Sequence, residues 1–163
     1  PVSIVFTTFP FLVEARKTDS AFYERRLVRL LRSLLLLAIA VATLISLSSS
    51  LLIDRLFGAD YEMASEVLLL HTWGAVFVVL SMVSRYWAIN ENLQYLEIAR
   101  TGSGAVLNVV LNLYLIPNFG IKGAAYATLI AHFWSGFLFD FTHPATRRIL
   151  RHKIFAACFW RTI

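Results

Sequence analysis

Cysteine and the common catalytic motifs are almost absent from this sequence. Of its 163 residues only Cys158 is a cysteine, which excludes an internal disulfide and a zinc site built on a CxxC pair. The GxSxG, P-loop, HExxH and DxD patterns of nucleophilic, phosphate-binding and metal-dependent sites are also missing. We therefore predict no catalytic residues, no metal and no cofactor.

Charge is scarce as well. Charged residues make up 15% of the sequence against 58% hydrophobic residues, and the mean hydropathy is +0.68. A soluble domain is only about 45–50% apolar. The net charge of +5 would suggest nucleic acid in a soluble protein. Here the basic residues flank apolar blocks, so we predict membrane lipids as partners and no nucleic acid.

Long uncharged blocks are what the sequence has instead. A spanning helix needs about 20 apolar residues, in a range of about 17–25. In lipid the backbone must satisfy its own hydrogen bonds, which favours helices. The sequence therefore predicts an all-α integral membrane fold with four full transmembrane helices, at residues 33–53, 67–84, 101–116 and 121–139.

The last two of these helices are separated by a short turn. Pro117 lacks a backbone N–H and disfavours helix at the residue before it. Asn118 and Gly120 are turn formers. We predict that residues 101–116 and 121–139 form a tight helical hairpin.

Three flanking segments are too short or too charged to span. Residues 1–13 are uncharged, and we interpret them as the end of a truncated helix, so that the chain is the C-terminal bundle fragment of a longer protein. Residues 17–32 mix leucines with arginines and predict an interfacial helix on the cytoplasmic headgroups. Residues 147–163 form a basic tail that repeats this pattern.

The basic residues also predict orientation. Of the 15 lysines and arginines, 13 lie before the first span, between the second and third, or after the fourth. Only Arg55 lies between the first two spans, and only Lys122 lies at the turn between the last two. Positive charge accumulates on the cytoplasmic side. We therefore predict a multi-pass protein with a cytoplasmic C-terminus.

Polar residues recur on one face of each of the last three spans. Such residues are costly in lipid and face a bundle interior or a watery cavity. Either they hydrogen-bond neighbouring helices or they line a hydrophilic pathway. The candidate pathway residues are His71, Arg85, Asn108, Asn112 and His132.

Two stretches carry a resemblance to a known family. Residues 56–68 read LFGADYEMASEVL, and residues 107–130 read LNVVLNLYLIPNFGIKGAAYATLI. The second, with Asn-x3-Asn-x3-Ile-Pro followed by Gly-Ile-x-Gly-Ala-Ala, is the more specific. The first resembles the outer loop that enters the tenth helix of polysaccharide and O-antigen flippases, and the second resembles their eleventh and twelfth helices. These flippases belong to the multidrug/oligosaccharidyl-lipid/polysaccharide exporter superfamily.

The resemblance implies a function and partners. Such a flippase moves an undecaprenyl-pyrophosphate-linked oligosaccharide across the bacterial inner membrane for surface polysaccharide biosynthesis. The chain's partners would be that lipid-linked oligosaccharide and the missing N-terminal half of the same protein. The uncharged blocks hold no carboxylate, so we expect any group for ion coupling to lie in that half. The alternatives are a multidrug or toxin antiporter, a membrane-embedded glycosyl- or acyltransferase, and a structural membrane anchor.

Overall fold

The regular structure of the chain is helical wherever it is described. A computed structural model describes residues 19–58 and 61–158. It contains α1 (Ser20–Phe57), α2 (Glu62–Asn90), α3 (Gln94–Gly136), a 3-10 helix (Leu138–Phe141) and α4 (Arg147–Ala157). The truncated helix predicted at 1–13 and the last five residues of the predicted tail lie outside the described residues.

Helix α1 is continuous over 38 residues. It begins at the N-cap Asp19, whose Oδ1 accepts hydrogen bonds from the N–H groups of Ala21 (2.8 Å) and Phe22 (3.2 Å). It ends at Gly58, where φ is 91°. No proline or glycine interrupts it, so the chain does not change direction near residue 32.

The structure therefore corrects the division of this region into an interfacial helix at 17–32 and a separate span at 33–53. The apolar face of the first turns, which includes Tyr23, Leu27 and Leu31, is buried in a core that also contains Ile149 and Ala156 of α4. The basic residues of the same turns, such as Arg25 and Arg29, are exposed. The amphipathic pattern is thus explained by packing against α4.

Helix α3 is a hairpin of two antiparallel arms, residues 94–119 and 121–136. The helical geometry is broken at Gly120, with φ 59° and ψ −137°, which only glycine adopts without strain. The Trp134 indole N–H donates to Ser103 Oγ (3.0 Å) and Asn108 Nδ2 donates to Thr128 Oγ1 (3.5 Å). From one contact to the other, the residue number rises along one arm and falls along the other, as it does between antiparallel helices. The chain thus turns back on itself at Gly120, within the segment 117–120 that the sequence predicts as a turn.

Apolar side chains cover much of the outside of the bundle. Leu47 is 82% exposed and Leu113 is 75% exposed, and the most apolar stretch of α3 is only 6% buried. Three helices are long and apolar enough to cross a membrane, Ser20–Phe57, Met63–Asn90 and Gln94–Phe141. An apolar exterior on helices of this length is what a bilayer requires.

Because successive helices run in opposite directions, the bundle has two distinct ends. The start of α1, the α2–α3 connection and α4 meet at one end, which we call the basic end (residues 20–32, 85–100 and 138–157). There Arg148 Nη2 lies 2.6 Å from Glu24 Oε1, and Arg32 donates to the Phe155 carbonyl at 3.2 Å. The opposite end, which we call the turn end, comprises residues 53–58, 61–66 and 116–124.

Candidate functional site

A cleft of about 540 Å³ lies between α2 and the two arms of α3. Its apolar walls include Val78, Met82 and Ala131. Polar groups from all three segments converge on it, and we call it the polar cleft after them: Ser81, Arg85, Asn108, Thr128, His132 and Ser135. The packing of α2 against the hairpin thus assembles residues that are far apart in sequence.

Three of the five predicted site residues line the polar cleft, namely Arg85, Asn108 and His132. The other two do not. His71 is exposed on α2, with its Nδ1 3.0 Å from the carbonyl oxygen of Val67 one turn earlier. Asn112 lies one turn beyond Asn108 and is half-buried between the arms.

The asparagines also connect the arms of the hairpin. Asn112 Nδ2 donates to Asn108 Oδ1 at 3.0 Å, and Asn108 Nδ2 donates to Thr128 Oγ1 at 3.5 Å. The Thr128 hydroxyl donates in turn to the carbonyl of Ala124 at 2.9 Å. Interhelical hydrogen bonds of this kind stabilise packing in lipid. Asn108 therefore takes part in packing and faces the cleft, whereas Asn112 contacts the packing network alone.

A chain of alternating charges leads from the cleft into the basic end. Arg85 Nε lies 3.2 Å from Glu97 Oε1, and Glu97 Oε2 lies 3.5 Å from Arg100 Nε. Arg100 Nη2 is 2.5 Å from Asp140 Oδ1, and Lys153 Nζ is 2.5 Å from Asp140 Oδ2. These five residues, which we call the ion chain, connect α2, α3, the 3-10 helix and α4.

The inner members of the ion chain are fully buried. Asp140 has no exposed surface, Arg100 is 1% exposed and Lys153 is 2% exposed. Burial lowers the pKa of Lys153 to about 8, although Asp140 acts in the opposite direction. Lys153 also donates to the Gly136 carbonyl at 2.5 Å, and the Arg100 guanidinium lies 5.3 Å from the centre of the Phe139 ring.

The sequence analysis missed this ion chain except for Arg85. The inner residues lie outside the uncharged blocks and were treated as charges of connections and tail. Glu97 and Asp140 are carboxylates outside the uncharged blocks that are nevertheless buried. One signal was available: a hairpin centred on residues 118–119 places Arg100 opposite residue 137, within one helical turn of Asp140.

The chemistry of the polar cleft is hydrogen bonding and attraction of anions. Amide, hydroxyl and imidazole groups face it, together with one guanidinium at the edge nearest the basic end. Over residues 19–58 and 61–158 no three His, Cys, Asp or Glu side chains are grouped so that they could hold a metal ion. The site is thus suited to a polar or anionic ligand.

Long apolar helices, an exposed apolar surface and a polar cleft between helices together define a helical membrane protein. No protein-family model, no curated protein and no solved structure matches the chain. The features that indicate a function are therefore the polar cleft and the short motifs at residues 56–68 and 107–130.

Proposed function

We propose that the chain is the C-terminal part of a bacterial inner-membrane flippase that translocates a lipid-linked oligosaccharide of the undecaprenyl pyrophosphate type. The observation that carries the proposal is the polar cleft, which offers hydrogen-bonding groups on an otherwise apolar bundle. Polar groups at membrane depth are costly and usually serve a substrate pathway. The resemblance of residues 107–130 to flippase helices supports the same function.

The groups in the cleft fit the two chemistries of such a substrate. Asn108, Thr128 and Ser135 offer neutral donors and acceptors for sugar hydroxyls. Arg85, whose side chain is 54% exposed, binds Glu97 through Nε while its guanidinium borders the cleft. A guanidinium makes strong charge-assisted hydrogen bonds to phosphate. Arg85 would therefore hold the pyrophosphate, and the neutral groups would hold the glycan.

The topology of the proposal assigns one bilayer crossing to each arm of α3. With α1 and α2 this gives four spans. The basic end would face the cytoplasm, because arginines and lysines accumulate there. The cleft would then form part of a central cavity completed by helices encoded upstream of Pro1, and transport would proceed by rocking of two bundles.

Transport of a fluorescent undecaprenyl-pyrophosphate oligosaccharide in proteoliposomes tests this function. The protein is the product of the complete reading frame that encodes this chain. We expect Arg85→Gln and Asn108→Leu each to reduce the initial rate at least about tenfold, since each removes a substrate-binding group worth roughly 1.5 kcal/mol or more. The matched control is Arg55→Gln, which removes an exposed arginine at the turn end.

Equal rates for all three variants and the wild type would contradict the proposal. A reading frame that adds no hydrophobic helices upstream of Pro1 would contradict it independently. The structural anchor would then be favoured, because a bundle without a second half cannot enclose a central cavity.

A second candidate function is a multidrug or toxin antiporter, which the buried carboxylates Glu97 and Asp140 favour. Buried carboxylates commonly carry the coupling cation in such proteins. Both carboxylates here contact arginine or lysine, which fills the place of a coupling cation, and we therefore favour the flippase. Efflux of a cationic dye driven by a pH gradient, abolished by Glu97→Gln, would reverse this preference.

A membrane-embedded transferase is tested through the histidines. If His71→Ala and His132→Ala abolished a measurable glycosyl or acyl transfer while no variant transported substrate, the protein would be an enzyme. We expect no such turnover, because His71 is exposed and lies outside the cleft that His132 lines.

A further inference from the structure

A second cavity, of about 550 Å³, lies at the basic end between the start of α1 and α4. It is separate from the polar cleft and shares none of its lining residues. Its walls are strongly basic, with Arg147, Arg148 and Arg151 beside His152, Glu24 and Phe155. Cavities that hold small ligands are typically about 300–1,000 Å³.

The one acidic group of the cavity is already neutralised. Glu24 Oε1 accepts two hydrogen bonds from Arg148, from Nη2 at 2.6 Å and from Nε at 3.2 Å. Arg147 and Arg151 lie one helical turn apart, are exposed, and form no ion pair with any residue of the described part of the chain. Two guanidinium groups therefore remain to attract an anion.

A buried histidine in the same wall has one ring nitrogen without a hydrogen-bond partner in the described chain. His152 is only 6% exposed, and its Nδ1 is buried without a hydrogen bond to any part of the described chain. Its Nε2 lies 3.9 Å from Glu24 Oε2. Nδ1 is covered by protein, so the ring contributes to the wall through its position beside Glu24 and, when protonated, through its positive charge.

The backbone of α4 adds to the same field. The helix begins at Arg147, and its N-cap Thr146 makes no side-chain capping bond, because its hydroxyl donates to the carbonyls of Asp140 and His143. The first N–H groups of a helix and its dipole favour a negative charge. The arginines, the histidine and this helix start thus surround one volume.

We propose that this cavity binds a phosphate group, presented either by the headgroup of an anionic lipid or by a soluble phosphate. Arg147 and Arg151 contact the phosphate oxygens, and the His152 ring lies in the wall beside them. Phe155 borders the cavity on its apolar side, next to the exposed Ile154, as suits a headgroup with its glycerol. The inference does not depend on what the polar cleft carries.

Lipid binding by the purified full chain in a neutral detergent tests the proposal. Native mass spectrometry with phosphatidylglycerol, and with phosphatidylcholine as the uncharged comparison, gives the affinity of the lipid arm. Titration of inorganic phosphate, followed by the imidazole NMR signals of His152, gives the affinity of the soluble arm. Binding of phosphatidylglycerol alone identifies a lipid headgroup, and equal binding of inorganic phosphate identifies a soluble source.

The variants are two double substitutions of equal charge. We expect Arg147→Gln with Arg151→Gln to weaken binding at least tenfold. Arg25→Gln with Arg29→Gln removes two exposed arginines, also spaced by four residues at the basic end but outside the cavity, and should change it less than twofold. Equal loss in both would show general surface attraction and overturn the site. Unchanged His152 signals in the wild type at saturating lipid and phosphate would overturn it even if a variant failed to fold.

Discussion

Two sets of short ion pairs at the ends of the bundle lie in different environments, one exposed at the turn end and one, the inner ion chain, buried at the basic end. At the turn end Lys122 Nζ lies 2.6 Å from Glu66 Oε2, with side chains that are 31% and 55% exposed. At the basic end the Arg100–Asp140 and Asp140–Lys153 pairs are about as short, but all three residues are buried. The distance between the charged atoms therefore does not determine how much each pair contributes to stability, because that contribution depends on exposure to solvent.

The difference has a physical basis in desolvation. An exposed pair exchanges water contacts for a screened attraction and contributes about 0–1 kcal/mol. A buried pair costs several kcal/mol per ion to desolvate, and removing one partner leaves the other charge uncompensated. The ion chain as a whole thus adds little to net stability. It nevertheless fixes the position of α4 on the hairpin, because a displaced α4 would leave buried charges without partners.

The largest effect is expected for Asp140→Asn, which keeps the side-chain shape but removes the charge between Arg100 and Lys153. We expect the free energy of unfolding to fall by about 3–5 kcal/mol, because two buried cations lose their shared partner. Unfolding by SDS in mixed micelles, followed by tryptophan fluorescence, measures the loss.

Asp54→Asn is the control for that substitution. Asp54 is an exposed aspartate near the end of α1, and its substitution should change stability by less than about 0.5 kcal/mol. If both variants lost the same small amount, the basic end would be as tolerant as the turn end and the contrast between them would disappear.

The features that could be predicted from the sequence are those encoded locally. The lengths of the uncharged runs require long helices, and Pro117 and Gly120 mark the turn of the hairpin. The polar residues Arg85, Asn108 and His132 share a cleft because helical spacing places polar residues on one face of each helix. Nearest-neighbour packing of α2 with the hairpin then brings these faces together.

The ion chain could not be predicted in the same way, because it depends on contacts between distant segments. Lys153 meets Asp140 only because α4 folds back onto the end of the hairpin. The prediction of an interfacial helix at residues 17–32 has the same cause, since an amphipathic helix shows the same sequence pattern whether its apolar face contacts lipid or α4. The register of the hairpin indicates that Arg100 lies near Asp140, but no local pattern indicates that α4 folds back to contact them.

A smaller effect is expected where the arms of the hairpin approach each other at the turn end. A Cβ added at Gly123 would overlap the backbone carbonyl of Leu115, whereas one added at Gly102 meets nothing within 4 Å. We expect Gly123→Ala to lower the free energy of unfolding by about 1–3 kcal/mol, because backbone must move. The same micelle unfolding assay measures the change.

Gly102→Ala is the matched control on the first arm. Replacing a helical glycine by alanine in open space is neutral or stabilises by up to about 1 kcal/mol. A loss in Gly102→Ala as large as in Gly123→Ala would mean that helix propensity and not the close approach of the arms governs the hairpin.

At the basic end, His152 should make the stability of the protein depend on pH. Burial lowers the pKa of His152 below its usual 6.5, Glu24 opposes this shift, and Arg148 and Arg151 reinforce it. Below pH 6.5 the unfolded chain therefore binds a proton that the folded chain does not yet bind. This term is absent above pH 6.5 and reduces stability as the pH falls towards the folded-state pKa.

The measurement is the stability difference between wild type and His152→Gln at pH 7.5 and pH 5.5. We expect the wild type to lose more stability than the variant on acidification, and bound phosphate to reduce that loss by favouring the imidazolium. Parallel pH profiles of wild type and His152→Gln would contradict the assignment.

The smallest effect is expected for Glu66→Gln at the turn end. The pair with Lys122 is short, but its side chains are partly exposed, so we expect a loss of about 0–1 kcal/mol. Solvent ions screen such a pair, and the difference from wild type should shrink further between about 0.05 and 0.5 M salt. The loss in Asp140→Asn should persist over that range, because salt does not reach buried charges. A salt-insensitive loss above about 2 kcal/mol in Glu66→Gln would show that this end, too, depends on a desolvated ion pair.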